Sequence, residues 1–169
     1  MRKVLLLCSI VFVLSGCENE EKSIDSFTPV NWEKHLANLK ESDSLIRGSS
    51  YLSVYSEIYS ITEHRSINLT VTASIRNVSS TDTIYVESAN YFNTAGDLIR
   101  TYVDHPIFLK PLETIEIVIN EKDTHGGSGA NFIFEWAHKK ERYGPTFDAV
   151  MISTSGQQGI SFTTQGVNR

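Results

Sequence analysis

Cysteine is scarce in this sequence of 169 residues. It has two cysteines, Cys8 and Cys17, and both lie near the N-terminus. After Cys17 no disulfide or thiolate metal site can form, so the fold must rest on core packing. The sequence also lacks a cluster of lysine and arginine, and its formal net charge is −5. A nucleic-acid partner is therefore not expected.

Long apolar runs are absent except at the N-terminus, where two basic residues precede the run Val4–Leu14. This run has the length of a signal-peptide core and is too short to span a bilayer as a stable helix. It ends in "LSGC", residues 14–17. This leader resembles that of a bacterial lipoprotein precursor. The resemblance implies that residues 1–16 are a signal peptide and that Cys17 receives the lipid.

The lipid would make the membrane a partner of the protein. Each buried methylene contributes about 0.8 kcal/mol, and more than one acyl chain gives stable retention. Glu18 follows the cysteine where an aspartate would favour the inner membrane in lipoproteins of two-membrane bacteria. We therefore expect a lipid-anchored protein of the cell envelope, on the outer membrane and facing the periplasm. An ordinary secreted protein with an incidental Cys17 is the alternative.

The segment of residues 17–48 is predicted to connect the lipid to the folded part. "ENEEKSIDS" (residues 18–26) is acidic and lacks large apolar residues, which predicts a disordered tether. The next stretch places Trp32, Leu36, Leu39 and Ile46 at roughly helical spacing. We expect a short amphipathic helix there. Residues 49–169 are then predicted to form one domain.

In that domain the apolar residues recur with a period of two. In "SINLTVTASIRNV" (66–78) apolar and polar residues alternate, as in a half-buried strand. "TIEIVI" (114–119) and "NFIFEWA" (131–137) show the same period. About eight such strands with regular turn signals predict an all-β fold, an antiparallel β-sandwich with an immunoglobulin-like Greek key. A small barrel is the alternative.

Successive loops of an antiparallel sandwich alternate between its two ends. The strand count therefore predicts that four loops share one end: "TEHR" (62–65), "NTAGD" (93–97), "NEKDTHGGSGAN" (120–131) and "SGQQG" (155–159). Loops at such an end commonly carry binding groups. The candidate binding residues that this brings together are Glu63, His64, Asp123, His125, Gln157 and Gln158.

The glycine-rich part of the third loop has three interpretations. The glycines could supply only positive φ or close backbone approach, or their amides could form a concavity for an anion. The histidines with Asp123 or Glu63 could also hold a metal. Ser128 lacks the strand-to-helix turn of a nucleophile elbow, so no catalytic residue is predicted. The loop residues kept as candidates are Gly126, Gly127, Ser128, Gly129 and Asn131.

Several motifs of the domain recur together in a known family: "YLSVYSEIY" (51–59), "SIRN" (74–77), "GGSGANFIFEW" (126–136), "DAVMI" (148–152) and "GQQGISF" (156–162). From about Tyr51 to Gly166 the chain resembles the bacterial lipoprotein family catalogued as domain of unknown function 3124. The resemblance implies a small exported single-domain protein, and it implies no activity or cofactor.

The predicted function is a non-catalytic binding or accessory module of the envelope without a cofactor. Its ligand would be an envelope protein, a glycan or a small anion. A sheet edge could accept a partner strand, and "LSVYSEIY" (52–59) is the candidate edge. The alternatives are a periplasmic metal-binding protein and a metal- or His-dependent enzyme that uses the glycine-loop end.

Overall fold

The computed structural model describes residues 30–40, 43–139, 144–154 and 159–169. The predicted signal peptide, the lipid site at Cys17 and the tether lie outside these residues, as do Gln157 and Gln158.

Antiparallel strands make up nearly all of the regular structure in these ranges. In chain order they are β1 (Ile46–Ser53), β2 (Glu57–Ser60), β3 (Thr62–Asn68), β4 (Thr70–Arg76), β5 (Ile84–Phe92), β6 (Leu98–Val103), β7 (Ile107–Leu109), β8 (Thr114–Ile119), β9 (Asn131–His138), β10 (Thr146–Ser153), β11 (Ile160–Gln165) and β12 (Val167–Asn168).

Two open sheets form the body of the domain. The first has the strand order β12-β1-β9-β5-β6, with β7 also paired to β5, and the second has the order β11-β10-β4-β8. The predicted antiparallel β-sandwich is therefore confirmed. Within each sheet most neighbours are distant in sequence, so the chain crosses repeatedly between the sheets. The described strands are more numerous than the eight that the sequence predicts. The additional ones are β7, β12 and the separate β2–β3 hairpin, whose sequences show only a weak alternation of apolar and polar residues.

The core lies between the inner faces of the two sheets. On β4 it takes Val71, Ala73 and Ile75, and on β9 it takes Phe132, Phe134 and Trp136. The Phe134 ring stacks on Phe147 of β10, with centroids 4.3 Å apart. The alternation in the sequence therefore selects the residues that face the opposite sheet.

The long alternating segment 66–78 is divided between two strands instead of forming one. The division falls at Leu69, which is buried and whose amide donates to the Ser56 carbonyl at 2.8 Å. Residues before Leu69 pair with β2, whereas those after it pair with β10 and β8. The alternation continues across this point, so periodicity alone could not locate it.

The predicted amphipathic helix is wrong. In the described part of this stretch, Trp32–His35 form a single 3-10 turn, and Leu36 is already extended, with φ −55° and ψ 130°. Leu36 bridges to Ile107, and the Ala37 amide donates to the Pro106 carbonyl at 2.8 Å, so pairing with β7 replaces the next helical turn. Ile46 belongs to β1. No helix in the described ranges is long and apolar enough to cross a membrane.

Candidate functional site

The glycine loop between β8 and β9 is held against the β5–β6 turn by Thr94. The Thr94 hydroxyl donates to the Gly126 carbonyl at 3.0 Å and accepts from the Gly129 amide at 2.9 Å. The Thr94 amide also donates to the Gly126 carbonyl at 3.0 Å. Two of the four loops predicted to meet, 93–97 and 120–131, therefore do so.

The glycines of this loop fill positions where a side chain would not fit. Gly126 packs against Tyr91 and Ser56, whose hydroxyls share a buried hydrogen bond of 2.8 Å, and a Cβ at this position would collide with both. Gly127 has a φ of +71°, which favours glycine. The amides of Gly127 and Gly129 already donate hydrogen bonds to the protein. These contacts support the structural interpretation of the glycines and leave fewer amides for an anion.

Ser128 and Asn131 take part in the backbone framework of the same loop. Ser128 is the middle residue of the 3-10 turn Gly127–Gly129. None of the side-chain hydrogen bonds in the described residues joins its hydroxyl to a histidine or a carboxylate. Asn131 begins β9, where it lies opposite Ser53 of β1 and Phe92 of β5.

Asp123 is the centre of a polar cluster beside the glycines. Its Oδ1 lies 2.8 Å from Nδ1 of His125, and its Oδ2 accepts from Nη2 of Arg100 at 3.0 Å. Arg100 also donates to the Tyr102 hydroxyl at 2.7 Å. Partial burial of Asp123 would raise its pKa, but the hydrogen bonds from His125 and Arg100 prevail and lower the pKa below the usual value. Asp123 is thus held as an anion that fixes its two neighbours.

His125 is the reactive group that this cluster exposes. Its side chain is 77% exposed, against 17% for Asp123. A carboxylate on one ring nitrogen orients the ring and leaves the other nitrogen open for a proton or a metal. The cluster can therefore present one oriented imidazole to a ligand in solution.

Glu63 and His64 do not join this cluster. "TEHR" is part of strand β3 instead of a loop, and Glu63 and His64 are 78% and 86% exposed, 3.6 Å apart. Among the described residues, no group of three or more His, Cys, Asp and Glu is placed to hold a metal ion. The prediction that "TEHR" forms a loop at the sandwich end is therefore wrong, because these residues belong to the second strand of the β2–β3 hairpin.

A pocket of about 460 Å³ lies at an open side of the sandwich. Tyr102 lines this pocket and also contacts Arg100 of the Asp123 cluster. One wall is formed by Glu113 and the residues Thr114 to Val118 of β8, and the other is formed by Val30, Trp32 and Tyr102. Among the described strands, β8 pairs with β4 alone and is therefore an edge strand. Leu36, the residue after the 3-10 turn, bridges to Ile107 of β7 in the neighbouring sheet. This contact holds the turn in place as part of the second pocket wall.

His35 and Glu113 form the polar part of this pocket. Nε2 of His35 lies 3.0 Å from Oε1 of Glu113, and its Nδ1 lies 3.2 Å from the Asn31 carbonyl. Burial would raise the pKa of Glu113, but hydrogen bonds from His35 and the Lys110 amide hold that pKa below its usual value. The ring also packs on Phe108, with centroids 5.7 Å apart. The turn is thus fixed to Glu113, the residue before β8, by a hydrogen bond and to Phe108 of β7 by ring packing.

Neither the pocket nor the His35–Glu113 pair was predicted from the sequence. The candidate edge "LSVYSEIY" is divided between the end of β1, which pairs with β9, and β2, which pairs with β3, so its role as an acceptor of a partner strand stays a prediction. The only local signal for β8 was the alternation of its isoleucines with Glu116 and Val118, which shows a strand but not its neighbours.

The structure thus defines an all-β sandwich with a pocket along the edge strand β8. The chain belongs to the family described as "Protein of unknown function (DUF3124)", whose model matches residues 47–168. A solved structure titled "Crystal Structure of Thermotoga maritima 1070" is similar at a TM-score of 0.43 and 8% identity, over 71% of this chain and 94% of that one. The search of curated proteins found no match.

Proposed function

We propose that this protein is a lipid-anchored component of the cell envelope that acts as a non-catalytic binding module. The leader supports the anchor, because a short apolar run ends in the "LSGC" that precedes a lipidated cysteine. Cys17 would then hold the domain at the membrane, with Glu18 favouring the outer membrane and its periplasmic face.

The observation that carries the binding function is the pocket along β8. It combines an apolar wall with the fixed His35–Glu113 pair, which is the usual composition of a recognition surface. The ligand is an envelope protein, a glycan or a small anion, and the net charge of −5 makes nucleic acid an unfavourable partner.

Labelled palmitate tests the anchor. Cells expressing the full chain are expected to incorporate the label and to retain the protein in the outer-membrane fraction. The Cys17→Ser variant is expected to lose both. Unlabelled wild-type protein, or label retained by Cys17→Ser, would refute the lipid anchor.

Trp32 supplies a reporter for binding at the pocket, because it lines the wall while the other tryptophan, Trp136, is buried in the core. Periplasmic proteins or glycan fragments that enter the pocket are expected to shift the emission of Trp32. The matched control is Trp32→Phe, which keeps Trp136 and should show no shift. An identical response of the two proteins would place the binding elsewhere.

Metal binding or His-dependent catalysis is the second candidate function, and the bond of 2.8 Å between Asp123 and His125 is the observation in its favour. Zinc or copper bound there would raise the melting temperature, because a ligand of the native state stabilises it. The His125→Ala variant should lose that rise. A melting temperature that no metal changes would remove this candidate.

A further inference from the structure

We propose that the free edge of β8 accepts an extended peptide strand from a partner protein, and that this strand carries a lysine or arginine opposite Glu116. The inference rests on the proposed binding function and names the chemistry of the partner.

The backbone of β8 presents unpaired groups in register along the pocket. The Asn77 amide donates to the Glu113 carbonyl at 2.9 Å, which fixes the hydrogen-bonded positions of the β4–β8 ladder. Because these positions alternate in an antiparallel pair, Ile115 and Ile117 direct their N–H and C=O toward β4. Thr114, Glu116 and Val118 then direct theirs outward. A strand laid along β8 would meet three residues ready to pair.

The pocket also supplies space and apolar contact for the side chains of such a strand. Successive side chains of a strand point to opposite faces, so every second one would face the wall of Val30, Trp32 and Tyr102. The remaining side chains would lie beside the outward ones of Thr114 and Glu116. A partner with apolar residues at alternate positions therefore matches this surface.

The partner's charge is indicated by Glu116. This residue is exposed, and no ion pair in the described residues includes it. Its electrostatic neighbour Arg76 is already bound to Asp148, with Nε 2.6 Å from Oδ2. The chain has a net charge of −5, which would attract a basic segment. An opposite charge directly across a strand pair stabilises that pair, so a lysine or arginine is expected there.

The β7 part of the neighbouring sheet's edge, in contrast, has a partner within the chain. Leu36 bridges to Ile107 and the Ala37 amide donates to the Pro106 carbonyl, so the chain covers its own edge at β7. No described strand covers the outer side of β8. The difference between the two edges leaves β8 available to a partner.

The test uses a dye-labelled peptide of ten residues, alternating valine and threonine around a central arginine, and the full chain purified in detergent micelles. Fluorescence polarisation gives the dissociation constant. Val118→Pro removes one outward N–H without touching the ladder to β4 and should weaken binding about tenfold. The matched control is Thr163→Pro on the outer side of β11, where the bond from the Gly166 amide to the Phe147 carbonyl sets the same alternation. It should bind as the wild type does.

A second variant tests the charge without a proline in the strand. Glu116→Lys should weaken binding of the arginine peptide about tenfold and strengthen binding of a twin peptide with a central glutamate. Thermal melts of each variant show that it is folded.

Three outcomes would overturn the proposal: no binding of the arginine peptide, equal loss with Thr163→Pro, or no exchange of charge preference in Glu116→Lys. A dimer of the chain that Val118→Pro dissociates would assign the edge to a second copy instead. Failure of the palmitate test would refute the anchor and leave the peptide result standing, so the two failures are distinguishable.

Discussion

Nε2 of His35 lies 3.0 Å from Oε1 of Glu113, which ties the N-terminal 3-10 turn to the residue before β8. Glu113 also accepts the Lys110 amide at 2.7 Å. One carboxylate therefore stabilises the turn before β8 and the pocket wall that packs beside it.

The first prediction concerns pH and Glu113. Its pKa is lower in the folded protein than the usual value of about 4.3, so its contribution to stability is complete above that value. The contribution is lost as the pH falls through the folded pKa. Glu113→Gln should therefore melt below the wild type at pH 7, and the difference should shrink as the pH falls below about 4.

Melts by circular dichroism between pH 7 and pH 3 make this comparison. Glu121→Gln is the control, because Glu121 is an exposed residue of the loop after β8. It should follow the wild type throughout. A difference between Glu113→Gln and the wild type that persists unchanged to pH 3 would contradict the assignment.

The second prediction concerns Thr94, whose hydroxyl joins the carbonyl of Gly126 to the amide of Gly129. Thr94→Val keeps the shape of the side chain but leaves both partners without the hydroxyl. We expect the free energy of unfolding in urea to fall by about 1 to 3 kcal/mol. Thr94→Ser retains the hydroxyl and should lose much less. Equal losses would show that the methyl group contributes as much to stability as the hydroxyl does and would contradict the prediction.

The sequence was informative wherever structure follows a local period. The alternation in the segments of β4 and β9 predicts strands with one buried face, and Val71, Ile75, Phe132 and Phe134 on that face are buried. The alternation of loops between the two ends of the sandwich predicts that the turn containing Thr94 lies beside the glycine loop, and the structure confirms this. Both predictions depend only on general properties of antiparallel strands. Successive side chains point to opposite faces, and the chain reverses direction at each turn.

The features that the sequence did not reveal depend on pairings between distant segments. Leu36 leaves the helical conformation because Ile107 offers a backbone partner, and no local pattern encodes that encounter. Likewise, β8 is an edge only because of the order in which strands assemble. The pocket and its His35–Glu113 pair follow from these two facts, so they were invisible to periodicity.

The third prediction concerns Gly48 of β1, which faces the ring of Trp136. A Cβ at this position would collide with the indole, so Gly48→Ala must displace a large buried side chain. Overpacking of this kind costs about 1 to 3 kcal/mol. Gly159→Ala is the control, since the nearest atom to its Cβ, the Ser153 carbonyl oxygen, is 3.7 Å away. Chemical unfolding should separate the two variants, and a Gly48→Ala as stable as the control would show that the indole moves freely.

The last prediction compares two adjacent serines of β1. Ser50 is buried, accepts the indole N–H of Trp136 at 2.9 Å and donates to the Asn168 side chain at 2.9 Å. Ser50→Ala leaves a buried N–H unpaired and releases the last strand, which should cost about 1 to 3 kcal/mol. Ser49 instead bonds an exposed Glu135 at 3.0 Å, so Ser49→Ala should change stability by about 0.5 kcal/mol or less. Urea unfolding followed by tryptophan fluorescence measures both. Because neighbouring side chains of a strand point to opposite faces, equal costs would contradict the register in which β1 pairs with β9 and β12.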